Sequence, residues 1–152
     1  MLKGNQKYYK MMMVCISIVA VSLYIFFIVY SNRAHEFLIL KNPLYDKELT
    51  KYNNLAGTFM NFYIIWLHLA ALYVYCINKA SRWKGILQLV VLSVLIFGFC
   101  LIMEIALDYC FFKPISDILQ FVLILVSESV FYGVLCVLDS LKNKVNLKIW
   151  LK

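Results

Sequence analysis

Two ionisable residues lie inside long apolar stretches of the sequence, far from any other charge. Glu128 lies twelve residues after Ser116, and His68 lies thirteen residues after Leu55. An ionisable group near the centre of a bilayer is energetically costly and is therefore a functional candidate. At about 1.5 Å per helical residue, both side chains lie roughly 18–20 Å below the same membrane surface, a depth match that permits a direct hydrogen bond or ion pair. Three roles are open for this pair: polar contact between helices, recognition of a partner helix, and proton-coupled transport.

A second set of charged residues is predicted near the outer surface, and it consists of Glu104, Asp108, Lys113 and Asp117. Glu104 and Asp108 are four residues apart, so we expect them to share one helix face. Lys113 can neutralise one of the carboxylates. Pairing of this kind more often stabilises a turn than it performs a reaction.

The remaining residue types that perform chemistry form no recognisable set. The two histidines, His35 and His68, have no second metal ligand at a suitable spacing. The five cysteines form no Cys-x-x-Cys pair, and we expect them to be structural free thiols. No glycine-rich phosphate loop is present. The sequence therefore predicts no enzymatic activity, no metal site and no cofactor.

Composition decides which solvent surrounds these residues. Of the 152 residues, 64% are hydrophobic and 15% are charged, whereas a soluble domain has about 25% charged residues. So short a chain cannot bury that excess of apolar side chains. Four runs have the length of about 20 apolar residues that crossing a bilayer requires, and they are 11–30, 55–77, 85–107 and 116–138. Because only helices satisfy the backbone of such runs in lipid, we predict an all-α integral membrane protein, a four-transmembrane-helix bundle that forms one membrane domain over residues 1–152.

The basic residues indicate how this bundle is oriented. The segments before the first run, between the second and third, and after the fourth hold ten lysines and arginines, whereas segments 31–54 and 108–115 hold five. Basic residues concentrate on the cytoplasmic side of a membrane, so both termini are predicted to be cytoplasmic. The net charge of +7 then reflects topology and attraction to anionic lipid, and nucleic acid is not an expected partner.

The longest segment predicted outside the membrane is 31–54. Asn42 and Pro43 predict a turn, residues 44–52 a short helix on the membrane surface, and Asn53 or Asn54 a cap for the second transmembrane helix. In the fourth helix, the small-xxx-small pair of Ser129 and Gly133 predicts the face that packs in the bundle.

Pro43, Leu44, Lys47, Tyr52 and Ala56 follow one another into the second helix. With four membrane helices, both termini inside and a longer first outer segment, this pattern resembles the immunity proteins to pore-forming colicins of the A and B type. The resemblance implies a non-enzymatic, multi-pass protein of the bacterial inner membrane that serves in toxin–antitoxin defence. Such a protein binds the pore-forming toxin domain within the lipid bilayer and blocks channel opening.

Under this resemblance Glu128, His68 and the segment 43–56 are the expected partner contacts. Two alternatives from other classes remain open. One is a small, oligomeric ion or proton-coupled transporter in which Glu128 is the coupling acid. The other is an accessory subunit of a larger membrane complex. The sequence leaves the oligomeric state open.

Overall fold

Four α-helices make up the fold. The computed structural model describes the backbone of residues 3–40, 46–78 and 81–150, and the side chains of residues 8–39, 46–78 and 81–142. The helices are α1 (Lys3–Leu40), α2 (Asp46–Ile77), α3 (Arg82–Ala106) and α4 (Pro114–Trp150), and the described residues contain no strand. Each helix contains a stretch long and apolar enough to cross a membrane. The predicted all-α fold with four membrane helices is therefore confirmed.

The helices are longer than the apolar runs that predicted them. α1 continues ten residues past the end of its run, and α2 begins at Asp46, nine residues before its run. Asn53 and Asn54 therefore lie inside α2, and the predicted cap at these residues is wrong. The separate surface helix is also wrong for the described residues, because nothing between 46 and 55 breaks a helix and the acids Asp46 and Glu48 in the first turn suit its positive dipole end. The turn predicted at Asn42 and Pro43 lies outside the described residues.

α2 and α3 occupy the centre of the bundle. α2 contacts every other helix, and its most extensive contact is with α1. α3 also contacts α1 and α4, whereas α1 and α4 scarcely touch each other. α1 and α4 are therefore the outer helices of the arrangement, each with a large surface that no other helix covers.

Two apolar clusters form the core. One joins α1, α2 and α3 around Tyr24, Ile28 and Ile96, and the other joins α2, α3 and α4 around Val74 and Leu89. Large apolar side chains elsewhere remain exposed on the outer surface, among them Ile18, Leu87, Leu123 and Val130. Soluble proteins rarely expose apolar surface so continuously. Lipid is the solvent that suits this surface.

Close approach between α3 and α4 occurs at Gly85, near the inner end of the bundle in the predicted topology. The Tyr132 ring lies against this glycine, and a Cβ atom there would be 1.9 Å from the Tyr132 hydroxyl oxygen and 2.8 Å from Cζ. The same hydroxyl donates a 3.4 Å hydrogen bond to the Arg82 carbonyl oxygen. Only a glycine leaves room for the ring at this position.

The predicted packing role of Ser129 and Gly133 is wrong. Both residues are exposed, and a Cβ atom at Gly133 would meet nothing within 4 Å. The buried side of α4 carries Glu128, Tyr132 and Cys136 instead. These three residues are spaced by four and share one helix face, whereas Ser129 and Gly133 lie around the helix from it.

Candidate functional site

The buried side of α3 carries a series of polar side chains that bond to all three other helices. We call this series the polar ladder, and its members are Gln88, Ser93, Cys100 and Glu104. Because hydrocarbon offers no hydrogen-bond partners, polar groups inside a membrane must satisfy one another. The ladder therefore fixes the rotation and height of α3 relative to its neighbours.

Glu128 is fully buried, with 0% of its surface exposed. Its Oε2 atom accepts a 2.6 Å hydrogen bond from the Ser93 hydroxyl, whereas its Oε1 atom has no hydrogen-bond partner among the described residues. This geometry links α4 to the ladder in the middle of α3. In this structure the Glu128 side chain reaches no outer surface of the bundle.

His68 does not hydrogen-bond to Glu128, so the direct bond that their matching depth permits is not formed. Its Nδ1 atom lies 2.9 Å from the Ile64 carbonyl oxygen and its Nε2 atom 3.0 Å from the Ser127 hydroxyl. A carbonyl oxygen only accepts, so Nδ1 donates to Ile64, and Nε2 pairs with the Ser127 hydroxyl. Consecutive residues point about 100° apart on a helix, and this rotation brings Ser127 rather than Glu128 to the half-buried seam between α2 and α4.

The predicted outer cluster is divided between the core and a turn. Glu104 is 1% exposed, accepts a hydrogen bond from the Tyr24 hydroxyl of α1, and has no partner for Oε2 among the described residues. α3 ends at Ala106, and Asp108 has a positive φ of 47°. Glu104 and Asp108 therefore do not share a helix face, and that prediction is wrong.

Asp117 and Lys113 close the start of α4 without forming an ion pair. The Asp117 Oδ2 atom accepts a 3.0 Å hydrogen bond from the backbone N–H of Lys113, which satisfies a donor that the helix leaves free. Ion pairs in the described part of the chain join Arg33 to Glu36 and Lys51 to Glu48. The Lys113 ammonium group is in neither.

Asn32 of α1 holds the turn between α3 and α4. Its Nδ2 atom donates to the carbonyl oxygens of Leu107 (3.0 Å) and Asp108 (3.4 Å), and its Oδ1 atom accepts from the Cys110 N–H (3.0 Å). Burial raises the pKa of the Tyr109 hydroxyl to about 12 and raises the pKa of the Cys110 thiol above its usual value. Asn32 thus bonds the turn to α1, and the Cys110 thiol adds a contact to the Ser31 carbonyl oxygen.

An outer cavity of about 240 Å³ lies between the middle of α1, this turn and the start of α4. Aromatic rings form much of its lining, and polar side chains of α4 complete it. The lining residues are Tyr24, Phe27, Tyr109, Phe111, Lys113, Ser116, Asp117 and Gln120. Lys113 and Asp117, two members of the predicted outer cluster, therefore face this cavity.

A groove of about 900 Å³ runs between α1 and α3 on the outside of the bundle. Most of its lining is aliphatic, and Ser17 and Ser22 of α1 also face it. Its polar end contains Tyr9 and Gln88, which are joined by a 2.9 Å hydrogen bond from the Tyr9 hydroxyl to Gln88 Oε1. α1 packs more extensively on α2 than on α3, which leaves this groove open along the α1–α3 side.

The segment that carried the family resemblance lies partly inside the bundle. Tyr52 stacks on Phe37 and Tyr30 of α1, with ring centroids 5.6 and 6.2 Å apart. Ala56 is buried. Pro43 and Leu44 lie outside the described residues. Tyr52 and Ala56 thus stabilise the α1–α2 hairpin.

Sequence reasoning did not single out Tyr24, Asn32 or Ser93, although each bonds to a predicted site residue or to the turn that carries it. Ser93 had a visible signal, because a polar residue alone in an apolar run is expected to hydrogen-bond to another helix. Tyr24 had none, since tyrosine is common in such runs for its apolar ring.

Comparison of the chain with protein-family models, curated proteins and solved structures finds no match.

Proposed function

We propose that this protein is an immunity protein of a bacterial inner membrane, which binds the pore-forming domain of a bacteriocin within the bilayer and blocks channel opening. The observation that carries the proposal is the groove between α1 and α3. It is an unfilled, mostly aliphatic surface inside the membrane-spanning part of the bundle. A hydrophobic helix of the toxin is the expected occupant.

The dimensions of the groove suit a helix. Its lining extends from Tyr9 to Ser22 on α1 and from Leu87 to Phe99 on α3, which corresponds to about 20 Å along each helix. That length is roughly two thirds of the hydrocarbon core. Helices associate in lipid through close packing, small residues and a few polar contacts. Ser17, Ser22 and the polar end at Gln88 supply these features.

The burial of Glu128 favours toxin binding over proton-coupled transport. Glu128 lines neither the groove nor the outer cavity, and packed side chains surround it. A coupling acid in a transporter needs access to water from each side in turn. On this proposal Glu128 acts indirectly, because it positions α3 through Ser93. His68 lies in the seam between α2 and α4, away from the groove.

The test uses two serines in matched environments. Ser22 in the groove and Ser129 on α4 are both exposed, and each hydroxyl donates a 2.8 Å hydrogen bond to the carbonyl oxygen four residues earlier. We expect the wild-type chain to protect cells against one inner-membrane pore-forming domain in a panel of such domains. Ser22→Phe should lower protection by about tenfold or more, since the ring fills part of the groove and prevents close packing of the partner helix, and Ser129→Phe should leave it unchanged.

Protection is measured as cell survival and as membrane potential with a voltage-sensitive dye. If the wild-type chain protects against no toxin at all, including one encoded beside it, the proposal is contradicted. Equal loss in both serine variants would show that the groove is not the contact. An accessory subunit predicts a different result, in which the chain copurifies with a resident membrane complex and gives no protection.

A further inference from the structure

The outer cavity places one cationic and one anionic side chain beside a wall of aromatic rings. Lys113 and Asp117 both line it. Asp117 is held in place because its Oδ2 atom accepts the Lys113 backbone N–H at 3.0 Å, so its other carboxylate oxygen remains for a ligand. The Lys113 side chain is exposed and belongs to no ion pair in the described part of the chain. The cavity thus matches a ligand that carries both signs of charge.

The aromatic wall is continuous. Ring centroids lie 5.4 Å apart for Tyr24 and Phe27, 5.8 Å for Phe27 and Tyr109, and 6.1 Å for Tyr109 and Phe111. The faces of aromatic rings attract cations such as an ammonium group. Acceptor atoms surround the same space, since Asp117 and Gln120 line it and the Tyr24 hydroxyl, which donates its hydrogen bond to Glu104, can only accept from a ligand. This combination favours an ammonium group that still has N–H donors.

The position of the cavity indicates where such a ligand comes from. Its polar side, with Lys113 and Asp117, lies at the turn that joins two membrane-spanning helices, so this side is at the level of lipid headgroups. Tyr24 and Phe27 line its inner side. Its volume of about 240 Å³ suits a headgroup and not a whole lipid. We propose that the outer cavity binds the phosphoethanolamine headgroup of a phospholipid, with the phosphate at Lys113 and the ammonium group between Asp117 and the rings.

This assignment predicts an order among lipids with identical acyl chains. Phosphatidylethanolamine supplies both charges and the N–H donors. Phosphatidylcholine supplies both charges without N–H donors, so it binds less tightly. Phosphatidylglycerol has no cationic group and carries a net negative charge beside Asp117, so it binds least. The assignment does not depend on the immunity proposal, because it concerns the resting protein in its own membrane.

The experiment is native mass spectrometry of the full chain, released from detergent after incubation with each lipid separately. We expect about tenfold tighter retention of phosphatidylethanolamine than of phosphatidylglycerol, as expected for one charged hydrogen bond. Asp117→Asn keeps an oxygen acceptor for the Lys113 N–H and should remove this preference. Lys113→Gln should weaken retention of both lipids.

Arg33→Gln is the control, since Arg33 is exposed, pairs with Glu36 and does not line the cavity. It should keep the wild-type preference. Thermal unfolding in detergent checks that every variant is folded, and a second variant, Phe27→Leu, tests the aromatic wall if Asp117→Asn unfolds. Equal retention of the two lipids by the wild-type chain, or a preference that survives in Asp117→Asn, would overturn the assignment.

Discussion

The Ser93 hydroxyl on α3 donates a 2.6 Å hydrogen bond to Oε2 of Glu128 on α4, and both side chains are buried. The bond links the two helices in the interior of the membrane domain. Its consequence is that the most unusual acid in the sequence faces inward and supports the bundle. On the two proposals above, a partner helix binds at the groove between α1 and α3, and a lipid headgroup binds in the outer cavity.

Substitution of Glu128 separates hydrogen bonding from charge. Glu128→Gln keeps an oxygen that accepts from Ser93, so we expect the free energy of unfolding to change by less than about 1 kcal/mol. Glu128→Ala leaves the Ser93 hydroxyl unpaired beside a cavity and should destabilise the protein by about 2–4 kcal/mol. Unfolding in mixed detergent measures both. Equal destabilisation by the two variants would contradict a purely hydrogen-bonding role.

Gly85→Ala tests the close contact with Tyr132. The added methyl group would overlap the tyrosine ring, so we expect a loss of about 1–3 kcal/mol from overpacking. Gly98→Ala is the matched control on the same helix, because a Cβ atom there meets nothing within 4 Å. The control should be neutral or stabilising by up to about 1 kcal/mol. Thermal unfolding distinguishes them, and similar midpoints for both variants would disprove the contact.

Asn32→Ala tests how the turn after α3 is held. The change removes both the donor to the Leu107 carbonyl oxygen and the acceptor for the Cys110 N–H. We expect amide hydrogen exchange in residues 107–112 to become about tenfold faster, which corresponds to the loss of roughly one to two hydrogen bonds. Exchange in the middle of α3 should not change. Unaltered exchange in the turn would show that α1 does not restrain it.

Tyr109 gives the turn a pH dependence. Burial raises its pKa from 10.0 to about 12 in the folded protein, so the unfolded chain loses this proton at lower pH than the folded chain does. The contribution of Tyr109 to stability is therefore complete below pH 10.0 and is lost as the pH rises toward about 12. The difference in unfolding midpoint between the wild type and Tyr109→Phe, followed against pH, checks this. A difference that grows above pH 10.0 in favour of the wild type would contradict it.

The orientation of the bundle remains a prediction. With both termini in the cytoplasm, the turn that carries Cys110 faces the outside, and this thiol is exposed. A membrane-impermeant maleimide added to intact cells should label the wild type and not Cys110→Ser. The reaction should accelerate with rising pH, because the thiolate is the reactive form and partial desolvation by the turn raises the Cys110 pKa. Epitope tags on the two ends that report opposite sides would refute this topology.

The extent of the helices shows where local information was sufficient and where it was not. The apolar runs located all four membrane helices, because run length and composition alone decide whether a segment can cross a bilayer. Their bounds were too short, since Asp46 and Glu48 are polar and still favour a helix start. Hydropathy detects apolar segments and not helix ends, so it missed the helical residues that extend beyond the apolar runs.

Side-chain partners required the tertiary structure. The sequence placed His68 and Glu128 at one depth, and depth follows from counting residues along a helix. The rotation of each helix about its axis decides which side chains meet. As a result, His68 hydrogen-bonds to Ser127, and Glu128 hydrogen-bonds to Ser93. Rotation depends on how all four surfaces pack together, and no single segment contains that information.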